Sequence, residues 1–283
     1  MKRIGFIDYY ISEWHANNYP AWFEKANEKL GLDYQVSYAW AEEDISPVDG
    51  VSTDEWCEKM GVERCQTIAE LCEKSDVILI LAPSNPEKHL QYAKEVLPYG
   101  KRTYIDKTFA PDYATAKEIF RIAEEYHTPF FSSSALRYGE ELAEIQDARN
   151  IILEGSGRSL EEYVIHLIEM AVSLLKNPAK KVRVEHFGQQ RICSVITENG
   201  AKAAIVYSPA LAYCVTAENS KGEIIHKKIA SEFFLNLITD ILRFFENGTV
   251  SFDAQETLEV MCLRDGILKA DLAEGEWIEL RES

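Results

Sequence analysis

The first candidate for chemistry is Lys107, which follows the short apolar run Thr103–Ile105 and one acidic residue, Asp106. The earlier run Val77–Ala82 is apolar throughout and reads as a buried parallel strand. Ligands of open α/β sheets bind at the carboxyl ends of the strands. Lys107 is therefore the first residue that we expect to take part in chemistry. The alternative is an exposed lysine after an edge strand.

A second candidate group lies on the predicted helix after Gly157. Glu162, His166 and Glu169 recur at i, i+4 and i+7, so all three side chains share one helix face. A histidine next to a carboxylate can act as a general base, with His166 oriented or charged by Glu162 one turn earlier. The alternative is a solvated polar face that includes a histidine.

The elements before residue 133 alternate between strand and helix. Lys2–Ile7 and Tyr34–Trp40 are predicted strands, and between them lies a helix with its core at Ala21–Leu30 and Pro20 in its first turn. Gly31 is the predicted end of that helix. The alternation predicts an α/β fold, with a Rossmann-like, doubly wound parallel sheet over residues 1–132.

Residues 133–283 show a different pattern. A long helix is predicted at Leu160–Lys176, and two more helices follow Ser231 and Asp253. The predicted strands are joined by short turns and lie at Asn150–Leu153, Val182–Phe187, Arg191–Thr197, Lys202–Tyr207 and Leu211–Thr216. This predicts a C-terminal α+β domain with a mainly antiparallel sheet. One face of such a sheet needs a cover, so we expect a homo-oligomer, such as a dimer, through it.

Composition narrows the functional classes. The formal charge of −17 on 283 residues disfavours nucleic acid and anionic lipid as partners. We find no signal-peptide core and no apolar run of membrane-spanning length. The six cysteines form no C-x-x-C pair, and no His, Asp and Glu set has metal-site spacing. We expect a cytoplasmic protein without a metal, acting on a small molecule.

The order of motifs resembles the Gfo/Idh/MocA oxidoreductases, the glucose-fructose oxidoreductase and inositol dehydrogenase group. The matching positions are an aliphatic strand ending in Pro83, the helix residue His89, the turn Gly100-Lys101, the triplet Asp106-Lys107-Thr108 and the helix motif Glu162-x-x-x-His166. The family pattern has Glu-Lys-Pro for the triplet and Asp-x-x-x-His for the helix motif.

The resemblance implies a cofactor and roles for individual residues. It implies NAD or NADP as cofactor, with Lys107, His166 and Glu162 as the catalytic residues. Its cofactor-binding positions correspond here to Asp8, Tyr10, Ser12, Trp40, Pro83, Ser84, Asn85, His89 and Lys107. By this resemblance His166 takes a hydroxyl proton from the substrate and Lys107 holds the oxygen.

The dinucleotide-binding loop departs from the family pattern. Asp8, Tyr10 and Glu13 stand where the glycines of G-x-G-x-x-G belong. Trp40 stands at the end of the second strand, where an acidic residue usually binds the ribose. Two hypotheses remain open at this point. One is an NAD(P)-dependent oxidoreductase of a sugar, polyol or related hydroxy/keto compound. The other is a non-redox descendant, a ligand-binding or regulatory protein or an acid/base enzyme that has lost ordinary dinucleotide binding.

Overall fold

The chain forms two compact units in a computed structural model that describes residues 1–280. Unit 1 contains Met1–Ser133 and Phe234–Ala254. Unit 2 contains Ser134–Phe233 and the described residues from Gln255 onward. The sequence-based division, residues 1–132 and 133–283, differs from this one in the segment Phe234–Ala254.

Unit 1 is built on a six-stranded parallel sheet in the order β3-β2-β1-β4-β5-β6. Its elements alternate along the chain: β1 (Lys2–Asp8), α1 (Trp14–Leu30), β2 (Tyr34–Ala41), α2 (Thr53–Met60), β3 (Glu63–Arg64), α3 (Ile68–Lys74), β4 (Val77–Ile80), α4 (His89–Val96), β5 (Thr103–Ile105), α5 (Tyr113–Glu125) and β6 (Phe130–Phe131). Every residue of β4 is buried, as its unbroken apolar run predicts.

Helix α1 begins earlier than predicted. It starts at Trp14, and Pro20 lies inside it instead of in its first turn. A proline there removes one backbone hydrogen bond and crowds the carbonyl four residues earlier. The Glu13 side chain caps the helix, and Tyr19 and Phe23 are buried along it, which offsets that cost. Gly31 ends the helix in the left-handed conformation, as predicted.

Unit 2 contains a seven-stranded sheet in the order β12-β11-β7-β10-β9-β8-β13. The elements after residue 133 are α6 (Glu140–Ala143), β7 (Ala148–Gly155), α7 (Leu160–Leu175), β8 (Ala179–Phe187), β9 (Gln190–Thr197), β10 (Lys202–Tyr207), β11 (Cys214–Asn219), β12 (Ile224–Lys228), α8 (Phe233–Asn247), α9 (Gln255–Leu272) and β13 (Ile278–Glu279). The β7–β10 pairing is parallel and the others are antiparallel. The predicted fold class is therefore confirmed.

Two strands of unit 2 were not predicted, β12 and β13, and one was misplaced. The strand expected at Leu211–Thr216 lies at Cys214–Asn219. Its pairing with β12, and with β7, which is distant in sequence, determines this register. None of the helices in residues 1–280 has both the length and the apolar content that a membrane span requires.

Most of α8 packs in unit 1. The rings of Phe244 and Phe131 contact edge to face, with centroids 5.0 Å apart. Glu246 accepts hydrogen bonds from Lys2 Nζ (2.5 Å) and the Tyr34 hydroxyl (3.0 Å). The half-buried Arg102 donates from Nη1 to the carbonyls of Phe245 (2.5 Å) and Glu246 (3.0 Å). A charged donor thus satisfies the C-terminal carbonyls of α8.

We expect Arg102→Met to lower the free energy of unfolding by about 1.5–3 kcal/mol, because it removes charge-assisted hydrogen bonds to these carbonyls. Arg121→Met is the matched control, since Arg121 pairs with Glu118 and Glu125 on the exposed side of α5. Its loss is expected to cost at most about 1 kcal/mol. Urea denaturation followed by tryptophan fluorescence measures both variants. Equal losses in the two variants would contradict the assigned role of Arg102.

Candidate active site

The carboxyl group of Asp8 ends β1 and is almost completely buried, with 1% of its surface exposed. Oδ1 accepts hydrogen bonds from the backbone N–H groups of Tyr9 (2.7 Å) and Ala82 (3.1 Å). Oδ2 has no hydrogen-bond partner within residues 1–280. Burial, and then the neighbouring carboxylate of Glu13, raises the pKa of Asp8 well above its usual value. The first glycine position of the family loop is therefore a buried acid.

Glu13 stands at the third glycine position and caps α1. Its carboxylate accepts hydrogen bonds from the backbone N–H groups of His15 (2.8 Å) and Ala16. Only 7% of its surface is exposed, and this burial raises its pKa, although the His15 ring and the two N–H groups oppose the shift. The side chain of the loop itself thus binds the amides that usually face an anionic ligand.

A buried contact joins the start of α1 to the end of β5. His15 Nδ1 is hydrogen-bonded to Oδ2 of Asp106, and the Tyr19 hydroxyl lies 3.3 Å from the same nitrogen. Asp106 Oδ1 accepts from the backbone N–H of Lys107 (2.8 Å) and from the Tyr104 hydroxyl (3.3 Å). Burial would raise the pKa of Asp106, but the His15 ring and the Lys107 charge outweigh it and lower the pKa.

Lys107 lies at the carboxyl edge of the parallel sheet, two residues after β5. Its side chain is half-buried, and within residues 1–280 its ammonium group has no hydrogen-bond or ion-pair partner. The peptide bond between Lys107 and Thr108 is cis. The buried Asp106 accepts a hydrogen bond from the backbone N–H of Lys107 and so fixes the backbone at this point. The ammonium group of Lys107 is available to a ligand.

The predicted cofactor positions Ser12, Tyr10 and Trp40 lie around the same end of the sheet. Ser12 is buried and donates to Asp49 Oδ2 at 2.7 Å. The Tyr10 ring contacts that of Tyr9 at 6.0 Å. The Trp40 ring contacts Tyr92 edge to face at 5.7 Å.

Glu42 is the acid nearest the usual ribose-binding position, and other groups already hold it. Its carboxylate pairs with Lys88 and accepts a hydrogen bond from the Tyr92 hydroxyl at 2.7 Å. Burial would raise its pKa, but these two partners outweigh that effect and lower it. The carboxylate is thus occupied within the chain.

The turn after β4 contains Pro83, Ser84 and Asn85, with Ser84 exposed and Pro83 buried. Asn85 Nδ2 donates to Glu87 at 3.0 Å. His89, also predicted to bind cofactor, is fully buried. Its ring nitrogens lie 3.0 Å from the carbonyl of Phe109 and 2.6 Å from that of Leu81, and burial lowers its pKa. In the structure His89 links the ends of β4 and the segment after β5.

Aromatic rings cluster beside the start of α1. Trp22 stacks on Phe234 with centroids 4.9 Å apart and ring planes 3° apart. Trp14 also contacts Phe234 at 4.9 Å and is 51% exposed. Phe234 comes from a segment some 200 residues later, so local sequence could not reveal this contact.

His166 lies on α7 in unit 2, and its ring contacts Ser134 of the same unit. Its Nδ1 lies 2.6 Å from Oγ of the buried Ser134. Glu162, which the sequence proposed as the orienting group, forms an ion pair with Arg158. The structure therefore adds Ser134 as a hydrogen-bond partner of the His166 ring, and no local motif in the sequence had indicated it.

Glu169, the third residue on the polar face of α7, is buried in an ionic network. It accepts from the backbone N–H of Ser134 (3.1 Å) and from Arg137 Nε (2.7 Å). Arg137 also donates to Glu256 at 2.6 Å. Burial raises the pKa of Glu169, although Arg137 opposes the shift. This network anchors Ser134, and through it the ring of His166.

The first loop, which is the connection between β1 and α1 (residues 9–13), does not fit the pyrophosphate of a dinucleotide in the usual mode. That mode needs unoccupied N–H groups at the helix N-terminus and glycines that let the phosphates approach the backbone. Here the Glu13 carboxylate takes the N–H groups, and Asp8 adds a second buried acid.

Within residues 1–280, no group of three or more His, Cys, Asp or Glu side chains is arranged to hold a metal ion.

Comparison with known proteins confirms the predicted family resemblance. Residues 42–133 match the Gfo/Idh/MocA family model, described as an oxidoreductase family with an NAD-binding Rossmann fold. A curated relative, "Uncharacterized oxidoreductase YhhX" of Escherichia coli (strain K12), is 36% identical over 55 residues. That match spans 19% of this chain and 16% of the relative.

Solved structures share the fold over nearly the whole chain. A "probable dehydrogenase" from Thermotoga maritima has a TM-score of 0.81 at 13% identity, covering 98% of each chain. A myo-inositol dehydrogenase from Corynebacterium glutamicum has a TM-score of 0.78 at 13% identity, covering 100% of this chain and 99% of that one. The UDP-N-acetylglucosamine 3-dehydrogenase GnnA from Acidithiobacillus ferrooxidans has a TM-score of 0.76 at 15% identity, covering 96% and 97%. Both units therefore belong to one known two-domain fold.

We expect Asp8→Asn to stabilise the protein increasingly as pH rises. The unfolded chain loses this proton near pH 4, whereas the folded protein keeps it to a higher pH, so ionisation of Asp8 reduces stability across that interval. The asparagine cannot ionise and keeps the acceptor for Tyr9 and Ala82. Its advantage in free energy of unfolding should grow as the pH is raised from pH 5 to pH 8.

Urea titrations at several pH values measure this difference. Glu28→Gln, which changes an exposed carboxylate of α1, is the control and should stay within about 0.5 kcal/mol of the unmodified protein. A constant difference between Asp8→Asn and the unmodified protein across this pH range would contradict the prediction.

Proposed function

We propose that this Gfo/Idh/MocA-type chain is an NAD(P)-linked oxidoreductase that interconverts a hydroxyl and a carbonyl group in a sugar, polyol or related small molecule. The observation that carries the proposal is Lys107, an unpaired, half-buried ammonium group at the carboxyl edge of the parallel sheet. The family description and the dehydrogenase names of the structural relatives support this reaction class. The choice between NAD and NADP is left open.

The reaction requires the protein to remove a proton and to stabilise a negative charge. Oxidation of a carbinol requires removal of the hydroxyl proton and stabilisation of the negative charge that develops on its oxygen. We assign proton removal to His166 and stabilisation of the oxygen to Lys107. The positive charge of Lys107 lies next to the buried carboxylate of Asp106, which keeps the site from accumulating unbalanced charge.

Hydrogen bonding supports the assignment of His166. When Nδ1–H donates to Ser134 Oγ, the other ring nitrogen, Nε2, carries the lone pair that accepts a proton. Glu162 lies one turn earlier on α7, where it is paired with Arg158. Ser134 is thus proposed as a positioning residue for His166.

We predict that Lys107→Ala lowers kcat/KM by about 10²–10³-fold and that His166→Asn lowers it by about 10²–10⁴-fold. The assay follows reduced nicotinamide in the presence of NAD⁺ or NADP⁺ and a panel of polyols, sugars and sugar acids. Lys94→Ala, an exposed lysine on α4, is the control and should retain full activity. Absence of turnover with every substrate and both cofactors would contradict the proposed function.

The proposal includes a cytoplasmic location and a homodimer through the sheet of unit 2. All six cysteines are free thiols, which suits a reducing compartment. Helices α7 and α9 pack on β7, β8 and β10, on one face of the sheet. The other face contains a groove of about 490 Å³ with apolar side chains from Ile152 and Ile196 and opposite charges from Arg183 and Glu218. An apolar surface that carries opposite charges supports a two-fold dimer, because each charge of one subunit can face the opposite charge of the other.

Ile152 is 46% exposed in the isolated chain, so we expect Ile152→Asp to weaken dimerisation by about 30-fold or more. Sedimentation equilibrium measures the dissociation constant. Leu272→Asp, which changes a 91% exposed leucine outside the groove, is the control and should leave the dimer intact. A monomeric unmodified protein at micromolar concentration, or equal effects of both variants, would contradict this interface.

A further inference from the structure

The connection between β1 and α1 carries an acid that behaves as a ligand of its own helix. We propose that the Glu13 carboxylate occupies the N-terminus of α1 in place of a phosphate group and so excludes the pyrophosphate of a dinucleotide from it. This inference concerns nucleotide binding alone and does not depend on turnover. It goes beyond the proposed function, because it states where the phosphates of a cofactor do not bind.

Three amides at the start of α1 are already used. The N–H groups of His15 and Ala16 donate to the two oxygens of the Glu13 carboxylate. The N–H of Asn17 donates to the Glu13 carbonyl at 3.0 Å. A phosphate at this helix end would have to displace a charged, nearly buried side chain to reach any of these three donors.

The charge around the loop also opposes a phosphate. Asp8 and Glu13 are both more than nine-tenths buried, and Asp8 Oδ2 has no hydrogen-bond partner within residues 1–280. The Glu13 carboxylate raises the electrostatic cost of negative charge nearby, and that cost is large where water is excluded. The buried carboxyl group of Asp8 offers a phosphate no positive charge. A pyrophosphate brings two further negative charges, so it would meet repulsion here.

Three polar groups near the loop already donate to carboxylates of the chain. The Ser12 hydroxyl donates to Asp49, and Lys88 pairs with Glu42. Tyr92 donates to the same Glu42 carboxylate. The Ser12 hydroxyl, the Lys88 ammonium group and the Tyr92 hydroxyl are therefore engaged in contacts within the chain. A nicotinamide cofactor must make its phosphate contacts away from the N-terminus of α1, and Glu13 limits its affinity.

The test compares the unmodified protein with Glu13→Gln and Glu13→Gly in calorimetric titrations with NADH, NADPH, ADP-ribose and reduced nicotinamide mononucleotide. Glu13→Gly frees the amides of His15 and Ala16, whereas Glu13→Gln removes the charge and keeps an acceptor. We expect Glu13→Gly to bind NADH or NADPH, and also ADP-ribose, about tenfold or more tightly. The mononucleotide lacks a pyrophosphate, so its affinity should not change.

Glu24→Gln is the matched control, because Glu24 is an exposed glutamate on the same helix. It changes the net charge equally and should leave every dissociation constant unchanged. Thermal denaturation of each variant establishes that it is folded. Because Glu13→Gln keeps a side-chain acceptor in the cap position, it is a second folded variant if Glu13→Gly is unstable, and it should show a smaller gain in the same direction.

Two results would overturn the inference. One is micromolar binding of NADH or NADPH by the unmodified protein that Glu13→Gly weakens, since the glutamate would then assist binding. The other is an unchanged affinity for ADP-ribose in folded Glu13 variants. Failure of the proposed function gives a different pattern, with no substrate-dependent turnover even though the Glu13 variants gain affinity.

Discussion

A chain of buried polar contacts in unit 1 connects the start of α1 with the candidate lysine. Glu13 accepts from the backbone of His15, the ring of His15 contacts Asp106, and Asp106 accepts from the backbone of Lys107. Buried polar groups are stable only when they are paired, so a change at any member affects the others. The position of Lys107 and the capping of α1 by Glu13 therefore depend on the same contacts.

Unit 2 supports its candidate base in the same way. Ser134 contacts the His166 ring, and the buried ion pair of Glu169 and Arg137 holds Ser134 through its backbone. Each unit thus presents one polar group on a rigid, hydrogen-bonded support, as catalysis requires. The first loop departs from the family pattern, because acids stand at two of its three glycine positions and a tyrosine at the other.

Much of the fold could be predicted from local sequence. The unbroken apolar run of β4, the glycine after α1 and the alternation of strands and helices predicted the parallel sheet correctly. The predicted start of α1 was wrong. Pro20 is a strong local signal for a helix start, whereas the Glu13 cap and the burial of Tyr19 are seen only in the folded structure. The packing of α8 in unit 1 was also not predicted, since its contacts with Phe131 and Arg102 join distant segments.

The sequence by itself determined the fold class, the family resemblance and the candidate residues Lys107 and His166, because these depend on periodicity and on motif spacing. It also revealed that two acids, Asp8 and Glu13, replace loop glycines. Only the tertiary structure decided what those acids do. Glu13 binds the amides of its own helix, and Asp106 pairs with His15, 91 residues away in sequence. Such partners depend on which distant groups share a low-dielectric interior, and local sequence does not specify that.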